Sequence, residues 1–221
     1  MNLLAPVDIY CERTDPSFWS EPVNAISNLA FIIAAYYAWR LYKSRTQIIG
    51  HSSVPPLLCA VVACVGMGSF LFHSFANQWS MIADVLFIAI FMFVYIGAAL
   101  RQIFAMRALN VALSLVLFFA MGQAYERIIP PAMFNGSESY FAAITMLCAI
   151  IIASFINAKP HSATLVAALI AFCVSIFFRS MDMAWCDPFP LGVHFLWHLL
   201  NGLVLALLMR YLILNYPSNV S

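Results

Sequence analysis

Residues 66–84 read GMGSFLFHSFANQWSMIAD, and they decide the architecture: one apolar segment ends there in a histidine and the next opens toward an aspartate. Ser69 and His73 are four apart, so on a helix a hydroxyl and an imidazole share one face near the segment's end. With Trp79 at a membrane interface, a rise of about 1.5 Å per residue carries Asp84 about 8 Å deeper, into apolar surroundings. A carboxylate at that depth costs about 2.5–3.5 kcal/mol on insertion scales and needs a partner. The polar cluster expected at a matching depth is His194 with His198, in LGVHFLWHLLNG.

Composition points the same way. Hydrophobic residues make up 64% of the 221 and charged residues 9%, and the mean hydropathy is +0.93, far above a soluble domain. The chain is therefore read as an all-α, polytopic membrane protein, with residues 1–221 forming a single transmembrane domain. A net charge of +1 with no basic patch excludes nucleic-acid binding. The first twenty residues lack the basic start and continuous apolar core of a cleaved signal peptide, so the N-terminus is expected to be retained. Of the six cysteines, Cys59, Cys64, Cys148 and Cys173 lie in apolar runs as small packing residues, whereas Cys11 and Cys186 lie in polar loop sequence.

Working outward, seven segments approach the roughly 20 residues a helix needs to span a bilayer. They are expected near residues 22–42, 54–74, 79–100, 107–125, 138–157, 162–180 and 191–214. An N-terminus outside and a C-terminus inside puts Arg40, Lys43, Arg45, Arg101, Arg107, Lys159 and Arg210 on the inner side, seven of the ten basic residues. The positive-inside rule favours that orientation. All nine acidic residues then fall in outer loops or at outer helix ends. In this topology His73, Asp84, His194 and His198 converge in the outer leaflet, while His51 and His161 lie in inner loops.

His194 and His198 have the i, i+4 spacing at which two imidazoles share one ion. His73 completes a three-histidine set with an open fourth position, the pattern of catalytic zinc. Any one of these histidines alone is ordinarily a packing residue, but three of them beside a carboxylate inside a membrane are not. Asp84 suits a general base acting on a bound water. Ser69 suits a donor to a developing oxyanion, although a serine beside Gly66 and Gly68 equally suits close helix packing. The N-terminal stretch DIYCERTDPSFWSEPVNAISN clusters Asp8, Glu12, Asp15 and Glu21. These are hard oxygen ligands for calcium or, equally, a solvated acidic loop with Glu21 capping the first helix. Asn24 and Asn28 continue the Glu21 face into the membrane. Cys11 and Cys186 share the outer side, where oxidation is permitted, so a disulfide between them is predicted.

Taken together, GMGSFLFH with Asp84 eleven positions on, HFLWH near the C-terminus, and YCER followed by SEPVNAISN resemble the alkaline ceramidase family. That family belongs to a wider group of seven-helix membrane hydrolases that includes the progestin and adipoQ receptors. The resemblance rests on residues 8–28, 66–84 and 182–202. It implies zinc held by His73, His194 and His198, with Ser69 and Asp84 as catalytic pair and Tyr140 assisting at the substrate carbonyl. It also implies a structural calcium site in the N-terminal loop. Glu12 and Glu21 match that motif, but this chain has one extra residue between Asp8 and Glu12, and Thr14 stands where the family has asparagine, leaving Asp8 or Asp15 as replacements. The activity implied is hydrolysis of ceramide-like lipid amides to a sphingoid base and a fatty acid, on the non-cytoplasmic side of a bacterial inner membrane or a eukaryotic internal membrane. The alternative is a zinc-stabilised lipid receptor or sensor without turnover.

Overall fold

A computed structural model of the chain describes residues 2–50 and 52–218; His51 lies outside them. Nine α-helices occur among the described residues: α1 (Pro22–Ser27), α2 (Leu29–Ile49), α3 (Val54–Phe75), α4 (Gln78–Ala98), α5 (Ala108–Ile128), α6 (Pro131–Phe134), α7 (Tyr140–Ile156), α8 (Ser162–Met181) and α9 (His194–Leu214). A π-turn, Ala99–Ile103, prolongs α4.

Local chemistry sets these limits. Pro22 and Pro55 sit in the first turns of α1 and α3, where a missing N–H costs nothing. Helix α3 stops at Ala76 in the left-handed region (φ 42°), and α4 restarts at once through a capping box in which Asn77 and Ser80 exchange side-chain and backbone hydrogen bonds. The resulting tight hairpin fixes the register of Asp84 against the end of α3. Strand-like residues of the N-terminal segment lace onto that hairpin, Val7 N–H donating to Ala76 O at 2.8 Å and Gln78 N–H to Ala5 O at 3.1 Å.

Among the described residues, five helical stretches are long and apolar enough to cross a membrane: Val54–Phe75, Gln78–Ile103, Ala108–Ile128, Ser162–Met181 and His194–Leu214. The chain is thus a multi-pass membrane protein. Two of the seven expected spans have a different form. The first is broken at Asn28, whose side-chain amide donates to Asn24 O at 2.9 Å, and the helix that follows carries Arg40, Lys43 and Arg45 at its far end. The span expected at 138–157 is the 17-residue helix α7.

Large apolar side chains such as Ile33, Val116, Phe119, Ile152 and Phe177 are exposed, as suits helices whose outer faces meet lipid. Inside the bundle, small residues allow close approach. A Cβ on Gly202 of α9 would stand 2.7 Å from Ala30 Cβ of α2, and one on Gly68 of α3 would stand 2.6 Å from Ala83 O of α4. The first contact seats α9 against α2, and the second seats α4, which carries Asp84, against α3.

Candidate functional site

The site lies at the end of the bundle that the N-terminal loop covers. His73 comes from the last turn of α3, His194 and His198 from the first two turns of α9, and all three are buried. Their ring centroids are 4.6–5.1 Å apart, and one ligand nitrogen from each lies within 4.8 Å of the others. Among the described residues this is the one group of histidine, cysteine or acidic side chains able to hold a metal ion.

Neighbouring groups set the tautomers of His73 and His198. His73 Nδ1 is 2.6 Å from Glu21 Oε2, so Nδ1–H donates to the carboxylate and Nε2 keeps its lone pair. Ser27 Oγ donates to Asn24 O at 2.8 Å. Its proton is therefore committed, and His198 Nδ1–H donates to Ser27 Oγ across 2.7 Å. His198 Nε2 is then free as well, with Ser69 Oγ at 3.5 Å. His73 Nε2 and His194 Nδ1 are buried without a hydrogen-bond partner. Buried imidazole nitrogens left bare by a network that orients their rings are what a metal ion requires of its ligands. The residues present fit a three-histidine metal site.

His194 is positioned from behind. Asp182, 1% exposed, accepts from Val193 N–H at 2.7 Å and His194 N–H at 2.9 Å, and also from Cys11 N–H at 2.9 Å. The expected disulfide Cys11–Cys186 is present, with its Cα atoms 5.5 Å apart. Tyr10, carried by the same loop, stacks on the His194 ring at 3.6 Å and 18°, and burial pushes its phenol pKa up.

Asp84 reaches the site because Gly68 lets α4 touch α3 immediately before it. Its Oδ1 is buried without a partner. Asp84 lines a cavity of about 530 Å³ with Tyr10, Tyr140, Arg179 and Trp197. An apolar cleft of about 90 Å³ between α3, α4, α7, α8 and α9 shares Ile88, Tyr140 and Trp197 with that cavity. Tyr140 thus stands where a polar chamber meets an apolar one. The Arg179 guanidinium lies 5.6–6.0 Å from the ring centroids of Tyr10, Tyr140 and Trp197, and it donates to Asn135 O at 2.9 Å and Ser137 Oγ at 2.5 Å.

The acidic N-terminal residues are not gathered into a cation site. Asp8, Thr14 and Asp15 are exposed, and Asp15 Oδ1 accepts from Ser17 N–H at 2.7 Å, which helps hold its carboxyl below the usual range. Glu12 spends both oxygens on the start of α1, accepting from Val23 N–H at 2.7 Å and Asn24 N–H at 2.8 Å. Burial pushes its carboxyl pKa up against those bonds. Glu21 accepts from Arg13, Asn24 and His73. Burial alone would raise its carboxyl, but the hydrogen bonds from His73 and Arg13 outweigh burial and hold it low. These residues do not fit a bound calcium ion.

Sequence reasoning missed Tyr10, Arg13, Ser27, Arg179 and Asp182. Ser27 had a signal, since it lies three residues after Asn24 on the polar face that begins at Glu21. Tyr10, Arg13 and Asp182 lie outside the helices, where no periodicity speaks for them, and Arg179, in the last turn of α8, meets the site through contacts with other elements. No family model matches the chain, and none of the curated proteins matches it.

Proposed function

We propose that this chain is a zinc-dependent intramembrane hydrolase of lipid amides, with ceramide-like lipids as substrate. It spans the membrane seven times, Leu29–Ile49 and Tyr140–Ile156 being the two spans beyond the five of clear length and hydropathy. The N-terminus and the site then lie on the non-cytoplasmic side, as the bias of basic residues toward the other end favours. The observation that carries the reading is the combination of three buried imidazoles, two of them held in metal-accepting tautomers, with a carboxylate that has one buried, unpartnered oxygen and lines a cavity adjoining an apolar cleft.

His73, His194 and His198 would hold the ion. What zinc supplies when bound there is polarisation of the amide carbonyl and a water acidic enough to attack near neutral pH. Asp84 accepts the proton of the attacking water through its free Oδ1 and delivers it to the amine nitrogen as the C–N bond breaks. Ser69 and Tyr140 donate hydrogen bonds to the carbonyl oxygen as it gains charge. The new C–O bond leaves a fatty acid, and the nitrogen departs as a sphingoid base. The apolar cleft takes an acyl chain. A receptor that used zinc only to pin helices would leave Asp84 without a task.

The test is fatty-acid release from a panel of ceramides by the purified, zinc-loaded chain. Stoichiometric zinc together with release is expected. Saturable ceramide binding with no release from any acyl length would replace the hydrolase with the receptor.

A further inference from the structure

The N-terminal loop contains a cation of its own. Arg13 is buried, and each of its three guanidinium nitrogens is committed: Nε donates to Glu21 Oε1 at 2.5 Å, Nη1 to Asp15 O at 3.2 Å and Ser17 O at 3.3 Å, and Nη2 to His73 O at 3.1 Å. One carboxylate and three backbone carbonyls converging on one positive charge is an oxygen set of the kind a hard divalent cation takes. Here a side chain already holds those oxygens, while Glu12, adjacent in sequence, is turned away to the start of α1.

The same guanidinium grips His73 twice. It binds the His73 carbonyl directly, one of the carbonyls left open at the end of α3, where a cation also complements the helix dipole. Through Glu21 it reaches the ring, because Oε1 receives Arg13 while Oε2 receives His73 Nδ1–H. Carboxylates behind ligating histidines fix ring orientation and raise basicity, and Arg13 gives this buried carboxylate the partner that holds it in place.

We propose that Arg13 takes the place of the calcium ion that the resemblance implies, so that the loop needs no calcium, and that Arg13 acts as a positioning residue for the metal ligand His73 through Glu21. The zinc arm rests on the three-histidine reading; the calcium arm does not.

The experiment uses the full chain in detergent, with lipid turnover left out of the readout. Wild-type protein is expected to carry no calcium by elemental analysis and to show the same Tm with and without millimolar calcium chloride. Arg13→Ala should lower Tm by about 5 °C or more and, below that Tm, weaken zinc binding by about tenfold or more in chelator competition. It should also change the visible spectrum of the cobalt-substituted site, which a purely structural loop residue would leave alone. Should Arg13→Ala not fold, Arg13→Lys, which keeps the charge and loses the fork, should show the same two changes to a smaller extent. Stoichiometric calcium in the wild type, a calcium-dependent rise in its Tm, or a folded Arg13 variant with unchanged zinc affinity and cobalt spectrum would overturn the proposal. If no protein form binds zinc, the hydrolase reading falls, and the calcium measurements still decide whether Arg13 serves as the loop's cation.

Discussion

Glu21 Oε2 and His73 Nδ1 meet at 2.6 Å across 52 residues of sequence, and that contact joins the covering loop to the three histidines that could hold an ion. The carboxylate selects the tautomer that turns Nε2 toward the other two histidines. Glu21→Gln keeps an acceptor oxygen but loses the charge that attracts both the imidazole N–H and Arg13. Zinc affinity is expected to fall by about tenfold to a hundredfold, read by competition with a chromophoric chelator. An unchanged affinity would mean that the ring is oriented by packing alone.

Asp84 separates holding a metal from using it. Asp84 lines the cavity shared with Tyr140 and Arg179 and keeps one buried oxygen without a partner, and it is not among the three histidines grouped to hold an ion. Asp84→Asn, nearly the same in shape, should keep stoichiometric zinc and lose turnover by about 10²–10⁴-fold, the usual contribution of a positioned proton acceptor. Loss of zinc in this variant would place Asp84 in the ligand set.

Gly68 has no room for a methyl group. A Cβ there would come 2.6 Å from Ala83 O and 3.3 Å from Asp84 Cα, both backbone atoms of α4. Relief requires the two helices to part beside the site. Gly68→Ala is therefore expected to cost about 1–3 kcal/mol in stability and to lower activity by displacing Asp84 from His73. Thermal unfolding and kcat measured together check it, and the larger Gly68→Val should be worse in both.

The parts of this site that could be read from sequence were those that depend on a helix's own repeat. Ser69 with His73, and His194 with His198, are neighbours on single helices, so their spacing placed each pair before any packing was known. Asp84 was conspicuous because a carboxylate in an apolar run is expensive. Cys11 and Cys186 were the two cysteines in polar loop sequence, expected on the same side, and they are joined. What sequence did not reveal depends on contacts between elements. The break at Asn28 arises from its side chain bonding to the preceding turn. The four acidic loop residues looked like a set, yet Glu12 and Glu21 face different partners while Asp8 and Asp15 are exposed. Arg13 carries no signal of its own in the sequence, because its four acceptors, Asp15 O, Ser17 O, Glu21 Oε1 and His73 O, are brought together only by the fold.

The Cys11–Cys186 disulfide ties the loop that carries Tyr10, Glu12 and Arg13 to the segment before α9. Removing a bond that closes so long a loop typically costs about 2–5 kcal/mol. A Cys11→Ser, Cys186→Ser double variant should unfold at a lower temperature and lose zinc more readily on dialysis, since Tyr10 would no longer be held against His194. Equal zinc retention in oxidised and doubly substituted protein would show that the loop stays docked through its other contacts, Arg13 first among them.

Asp182 offers the sharpest separation between those two sources of loop order. Its carboxylate accepts from Cys11 N–H on one oxygen and from Val193 N–H and His194 N–H on the other, so one buried side chain ties the loop to the start of the histidine-bearing helix. Asp182→Ala strands three backbone donors, each of which costs about 1–3 kcal/mol when buried without a partner. Asp182→Asn is the more informative change, because its amide offers one oxygen where there were two and turns an NH₂ toward a backbone N–H. If the oxygen stays with Val193 and His194, the helix start survives and the Cys11 side loosens, so Tm falls with little change in zinc affinity. If it turns to Cys11, the first turn of α9 frays and His194 is displaced, so zinc affinity falls with Tm. Hydrogen exchange at the amides of Cys11 and His194, measured beside zinc titration, distinguishes the two. The first outcome is expected, because the N-terminus of α9 presents two N–H donors against one.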